Sequence, residues 1–152
     1  MSNITNLIEK YIKSLLAQSQ VNYIDIQRNE LAISFSCVPS QINYVLATRF
    51  TTEHGYMVES KRGGGGYVRI TRIPLGHRAQ IINYLGNLIG EHISQQSAEG
   101  IISRLLEEEV VTVREAKLLK AAISKDVLKL ALPVRDRIRA GIFKAMLYSL
   151  FK

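Results

Sequence analysis

Ser40, Gln41, Asn43 and Tyr44 bring hydroxyl and amide groups together on a stretch that opens with Pro39 and carries Ile42, Val45 and Leu46 at helical spacing. Proline suits a first helical turn, and the apolar spacing leaves these four polar residues on the outer side of a helix over 39–48. Their chemistry is directional hydrogen bonding. Gln and Asn each offer a donor beside an acceptor, the arrangement that pairs two-pronged with the adenine edge in a major groove. Arg28, Arg49, Lys61 and Arg62 lie close by in sequence and suit neutralisation of backbone phosphates. The run Lys61-Arg62-Gly63-Gly64-Gly65-Gly66-Tyr67 adds a stretch without side chains, tolerated where backbone needs positive φ or must lie against a partner. Arg62 beside it suits the enhanced negative potential of a narrow minor groove.

These residues need elements to hold them. Leu31, Ala32 and Phe35 predict a short helix over 27–35, and Ser36-Cys37-Val38 a tight break before the polar helix, together a helix-turn-helix. Segments 56–61 and 67–73 are rich in β-formers and predict a hairpin with the glycines at its tip, which makes the motif winged. Ile4, Leu7, Ile8, Tyr11, Ile12, Leu15 and Leu16 predict an amphipathic helix over 4–17 that supports the polar helix from behind, and 21–26 reads as a third strand. The pattern breaks at Pro74-Leu75-Gly76-His77. Beyond it we expect helices over 79–95, over 98–108 capped by Ser97, one opened by the capping box Thr112 to Glu115, and a last one opened by Pro133 with Ile138, Ile142, Phe143, Met146, Leu147 and Leu150 inside. The expected fold is an α+β winged helix-turn-helix over 1–73, a hinge at 74–78, and an all-α dimerisation domain of about four helices over 79–152. Four short helices expose more apolar surface than so small a domain covers alone, so a homodimer is expected.

The run RNELAISFSCVPSQINYVLATRFTTEHGYMVESKRGGGGYVRI resembles the CtsR family, the class III stress-gene (heat-shock) transcriptional repressors of low-GC Gram-positive bacteria. The resemblance extends through ISRLLEEEVVTVREAKLLKAAI and LPVRDRIRAGIFKAMLYSL, and the CVPSQINYV and ESKRGGGGY blocks are its most specific parts. It implies repression of Clp protease and chaperone genes from a tandem direct-repeat operator of double-stranded DNA. It further implies release by heat sensed in the glycine-rich wing, phosphorylation of the wing arginine by a protein-arginine kinase, and Clp-dependent degradation through a Clp ATPase and protease. By position Arg62 matches the wing arginine and Gly63 to Gly66 the loop; Arg104, Arg114 and the arginines of the last helix are further candidates for the kinase.

Net charge is +7 with a pI near 9.7, which favours an anionic partner. Residues 1–75 hold eight Lys and Arg against five Asp and Glu and the remainder twelve against eight, so charge alone does not locate the face. A single cysteine, Cys37, excludes an intrachain disulfide and reads as a packing residue in the turn; no stretch approaches the length of a bilayer span, and a cytoplasmic protein is expected. An enzyme is not expected. The glycine run lacks the Gly-Lys-Ser/Thr of a phosphate-binding loop, His54, His77 and His92 are isolated, and no metal ligand, catalytic residue or cofactor emerges. A non-specific RNA or ribosome-associated binder using the same basic surface is the alternative.

Overall fold

The computed structural model describes residues 3–62, 66–76 and 78–151. Gly63, Gly64 and Gly65 of the expected wing tip, and His77 of the expected hinge, lie outside them. The chain divides into two compact units, Met1–Ile73 and Pro74–Lys152.

In the first unit the elements are α1 (Ile4–Gln18), β1 (Tyr23–Ile26), α2 (Arg28–Ser34), α3 (Pro39–Arg49), β2 (Tyr56–Lys61) and β3 (Tyr67–Arg72). Asn3 caps α1 by accepting from the Asn6 amide at 2.9 Å. The buried stripe of α1 is narrower than its apolar residues suggest. Ile8, Ile12 and Leu16 enter the core, whereas Leu7 and Tyr11 stay exposed. Those three pack with Leu31 and Ala32 of α2, Ile42, Val45 and Leu46 of α3, and Val68 and Ile70 of β3. The sheet is antiparallel in the order β1-β3-β2, with Lys61 opposite Tyr67 at the wing end and Ile26 opposite Val68 on the other side. The third strand expected over 21–26 is thus β1, paired to the second strand of the hairpin.

The turn between α2 and α3 closes in a specific way. The Ser36 amide donates to the Ile33 carbonyl at 3.1 Å and the Cys37 amide to Ala32 at 2.9 Å, with Ser36 itself at φ 53. This is a Schellman closure with serine in the left-handed position usually held by glycine. Cys37 then packs against the core. Pro39 stands in the first turn of α3.

The second unit consists of α4 (Arg78–Ile89), α5 (Gln95–Glu107), α6 (Val113–Ile123) and α7 (Val134–Phe151) around one apolar core. The capping box is present in full, Thr112 accepting from the Glu115 amide and Glu115 from the Thr112 amide. Two boundaries differ from expectation. Gly90, at φ 65, ends α4 six residues before the predicted 95, and Ser94 rather than Ser97 caps α5 by accepting from the Ser97 amide at 3.1 Å. The buried face of α7 is also turned: Arg139, Ala140, Phe143, Leu147 and Phe151 are inside and Ile138 is exposed. No helix among the described residues is long and apolar enough to cross a membrane.

Candidate nucleic-acid interface

α3 carries the expected polar edge only in part. Ser40, Asn43 and Tyr44 are exposed, Tyr44 at 55%. Gln41 is not outward: it is half-buried, and its Nε2 donates to Thr5 Oγ1 of α1 at 2.8 Å. It stands at the flank of the apolar stripe, where a long amide reaches the neighbouring helix. Arg49 departs in the same way. It lies on the inner side of α3, and its Nη1 meets Glu9 Oε1 of α1 at 2.6 Å and Asn6 Oδ1 at 3.2 Å. These two residues, expected at the nucleic acid, instead fasten the two ends of α3 to α1.

Glu9 is shared between Arg49 and Lys13, the latter at 2.8 Å. Burial works against its ionisation, but hydrogen bonds and charges from Lys13 and Arg49 outweigh that and hold its carboxyl below the ordinary 4.5. A carboxyl with a lowered folded value stabilises the fold above its unfolded value and loses that contribution as pH falls through the folded one. We expect Glu9→Gln to cost about 1 kcal/mol at neutral pH, with the difference from the parent vanishing under acid conditions. Urea melts at a series of pH values check this; a pH-independent difference would refute the assignment.

On the opposite side, Arg28 opens α2 and reaches two other elements. Its Nε donates to Asn43 Oδ1 of α3 at 2.5 Å and its Nη2 to Ser60 Oγ of β2 at 3.2 Å. An open hollow of about 240 Å³ lies there, lined by Gln27, Arg28, Asn29, Ser60, Lys61, Gly66 and Tyr67. The polar edge of α3 and the base of the wing therefore border one surface. Lys61 is half-buried and paired with Glu59 at 3.2 Å. Arg62 is exposed and has no ion-pair partner among the described residues. Gly66 has φ 83, a conformation that requires glycine as the chain enters β3.

A contact not expected from the motifs stiffens the sheet below this surface. Arg69 makes a two-pronged contact with Asp25, at 2.9 and 3.2 Å, and its guanidinium lies 4.1 Å over the Tyr23 ring. That hydrogen bonding, followed by the charge of Arg69, holds the Asp25 carboxyl below its ordinary value. Opposite charges on neighbouring strands were the available signal.

Residues 3–74 match the family model described as the CtsR N-terminal HTH domain, and residues 77–148 the CtsR C-terminal dimerization domain. The chain belongs to the CtsR family. Among its CtsR relatives, the transcriptional regulator CtsR of Geobacillus stearothermophilus is 52% identical over 150 residues, covering 99% of this chain and 98% of the relative. That of Bacillus subtilis strain 168 is 49% identical over 148 residues, covering 97% and 96%. A crystal structure of CtsR in complex with a 26-bp DNA duplex superimposes with a TM-score of 0.89 at 51% identity, covering 99% of each chain. The CtsR fold is thus a winged helix-turn-helix followed by a helical dimerisation domain, as the motifs and the resemblance led us to expect.

Two further arginines depart from expectation. Arg104 and Arg139, weighed as modification candidates, are 3% and 1% exposed. Arg104 pairs with Glu108 at 2.9 Å, and Arg139 with Asp136 at 2.6 Å. A modifying enzyme has no access to a guanidinium so enclosed. Arg114 and Arg137 are exposed.

Proposed function

We propose that this chain is a sequence-specific DNA-binding repressor of stress-response genes, Clp protease and chaperone genes among them, acting as a cytoplasmic homodimer without catalytic activity. α3 enters a major groove of double-stranded operator DNA with Ser40, Asn43 and Tyr44 toward the base edges. The wing follows the adjacent minor groove, with Arg62 as its cation and Gly63 to Gly66 allowing close approach. Residues 74–78 form the hinge between the DNA-binding head and the dimerisation domain.

One observation carries the reading: Asn43 and Ser60 share the Arg28 guanidinium, so a polar helix edge and a hairpin base border one surface. The relatives named transcriptional regulator CtsR, and the CtsR solved with a duplex, support the same reading. Release follows from charge and entropy. A phosphate placed on exposed Arg62 by a protein-arginine kinase turns attraction into repulsion beside the DNA backbone, and heat raises the cost of ordering the glycine tip. A Clp ATPase and protease then remove the freed chain.

The test starts from a random-sequence duplex pool passed over the parent protein. Enrichment of one motif is expected, with the selected duplex bound more tightly than its shuffled version at fixed salt. Equal affinities would favour the non-specific RNA-type binder instead. Arg62→Ala is expected to weaken the selected duplex by about 1–3 kcal/mol, and Arg62→Lys to restore only part of that, because lysine keeps the charge and loses the planar fork. If Arg62→Ala binds like the parent, the wing assignment is wrong.

A further inference from the structure

Arg28 is better placed to hold the DNA-reading elements together than to hold DNA. We infer that it is a positioning residue, fixing the wing relative to α3 and thereby setting sequence discrimination. This rests on the DNA-binding reading above.

A cation on the first residue of a helix faces the positive end of the helix dipole, an unfavourable place unless its side chain is drawn elsewhere. Here it is drawn to Asn43 and Ser60, 15 and 32 residues away along the chain, on two different elements. Both acceptors are neutral, so Coulomb attraction to a carboxylate does not account for the geometry. What accounts for it is the guanidinium plane, whose Nε and Nη2 donate along fixed directions and so fix how far apart the two acceptors stand. Asn43 has a second stake in the bond. Its amide oxygen is the acceptor used, so the Arg28 Nε settles which way the amide faces, and a base-reading amide must face one way to distinguish donor from acceptor on a base edge.

A positioning residue and a phosphate contact predict different responses. Ser60→Ala removes one arm of the fork, leaving every charge and every base-facing side chain in place; Arg28→Lys keeps the charge and removes the fork. Both are expected to lower affinity for the selected duplex about tenfold, while affinity for the shuffled duplex and the slope of log affinity against log salt stay at parental values. Thermal melts confirm that each variant is folded. The inference is overturned if Arg28→Lys and Ser60→Ala bind both duplexes as the parent does. It is also overturned if Arg28→Ala weakens both duplexes equally and reduces the salt slope by about one, the signature of a phosphate contact. Loss of selectivity in the parent itself would instead strike the underlying DNA-binding reading, so the two failures are separable.

Discussion

Raising monovalent salt from about 50 to 200 mM is expected to weaken duplex binding by about 10³ to 10⁵, the loss for a dimer that neutralises about 6 to 10 phosphates. The expectation follows from condensed counterions: each cation that meets a phosphate releases one, and the entropy of that release shrinks as bulk salt rises. Only uncommitted cations qualify. Arg49 is held by Glu9, Arg69 by Asp25, and Arg104 and Arg139 are buried, so the net charge of +7 overstates what reaches DNA. Each head brings exposed Arg62 and, beside it, Lys61, whose solvent-exposed pairing with Glu59 a phosphate can replace; Arg28 is left out because Asn43 and Ser60 hold its guanidinium. Further exposed cations of the chain must meet the remaining neutralised phosphates, because amides and hydroxyls contact phosphate without displacing a counterion. Titration of the selected duplex across a salt series measures the slope. A loss of less than about tenfold would mean that phosphate neutralisation is a minor term.

The second large effect concerns the helical unit. Arg139→Met is expected to destabilise it by about 3–5 kcal/mol. The Arg139 Nε donates to the Ile123 carbonyl at 2.7 Å, and its Nη1 to the Ile93 carbonyl at 3.0 Å and to Asp136 at 2.6 Å. Ile123 is the last residue of α6, so the guanidinium of α7 satisfies an end carbonyl that the helix itself cannot. Ile93 immediately precedes the cap of α5, and its amide in turn donates to the Asp136 carbonyl at 3.1 Å. One side chain thereby ties α7 to the end of α6 and the start of α5. Methionine fills similar volume but leaves two buried carbonyls and a carboxylate without a donor, and the cost of those orphans exceeds the gain from an apolar side chain. Urea denaturation followed by circular dichroism measures it. A change below about 1 kcal/mol would show that water takes over the role.

Sequence patterning reached the architecture because that rests on where apolar residues recur. Ile42, Val45 and Leu46 are inside, and Thr112 and Glu115 form their capping box. It failed where a side chain's reach decides its role. Spacing places Gln41 and Arg49 at angles around α3, yet it does not reveal that Thr5 and Glu9 wait on the adjoining helix. Arg139 is illegible for a related reason, since arginine is rarely enclosed and Ile138, one residue before it, is the apolar residue that spacing assigns to the buried face of α7. Its spacing of three from Asp136 was the available clue. The choice of Ser94 over Ser97 was hidden because either serine precedes a helical pattern; the left-handed Gly90 decided it by ending α4 early. The break at Ser36-Cys37-Val38 was legible, but its left-handed closure was not, because that conformation is usually signalled by glycine and here serine adopts it.

The strand order β1-β3-β2 has a bearing on how these proteins tolerate crowding. The strand with the most β-branched and aromatic residues, Tyr67–Arg72, is flanked on both sides, so neither of its rims is open to a stray chain. One outer strand is only four residues long, and the other ends in an acid–base couple, Glu59 with Lys61. Short or charged borders discourage aggregation by strand addition. Neighbouring heads can therefore stand side by side without zipping together into a continuous ribbon.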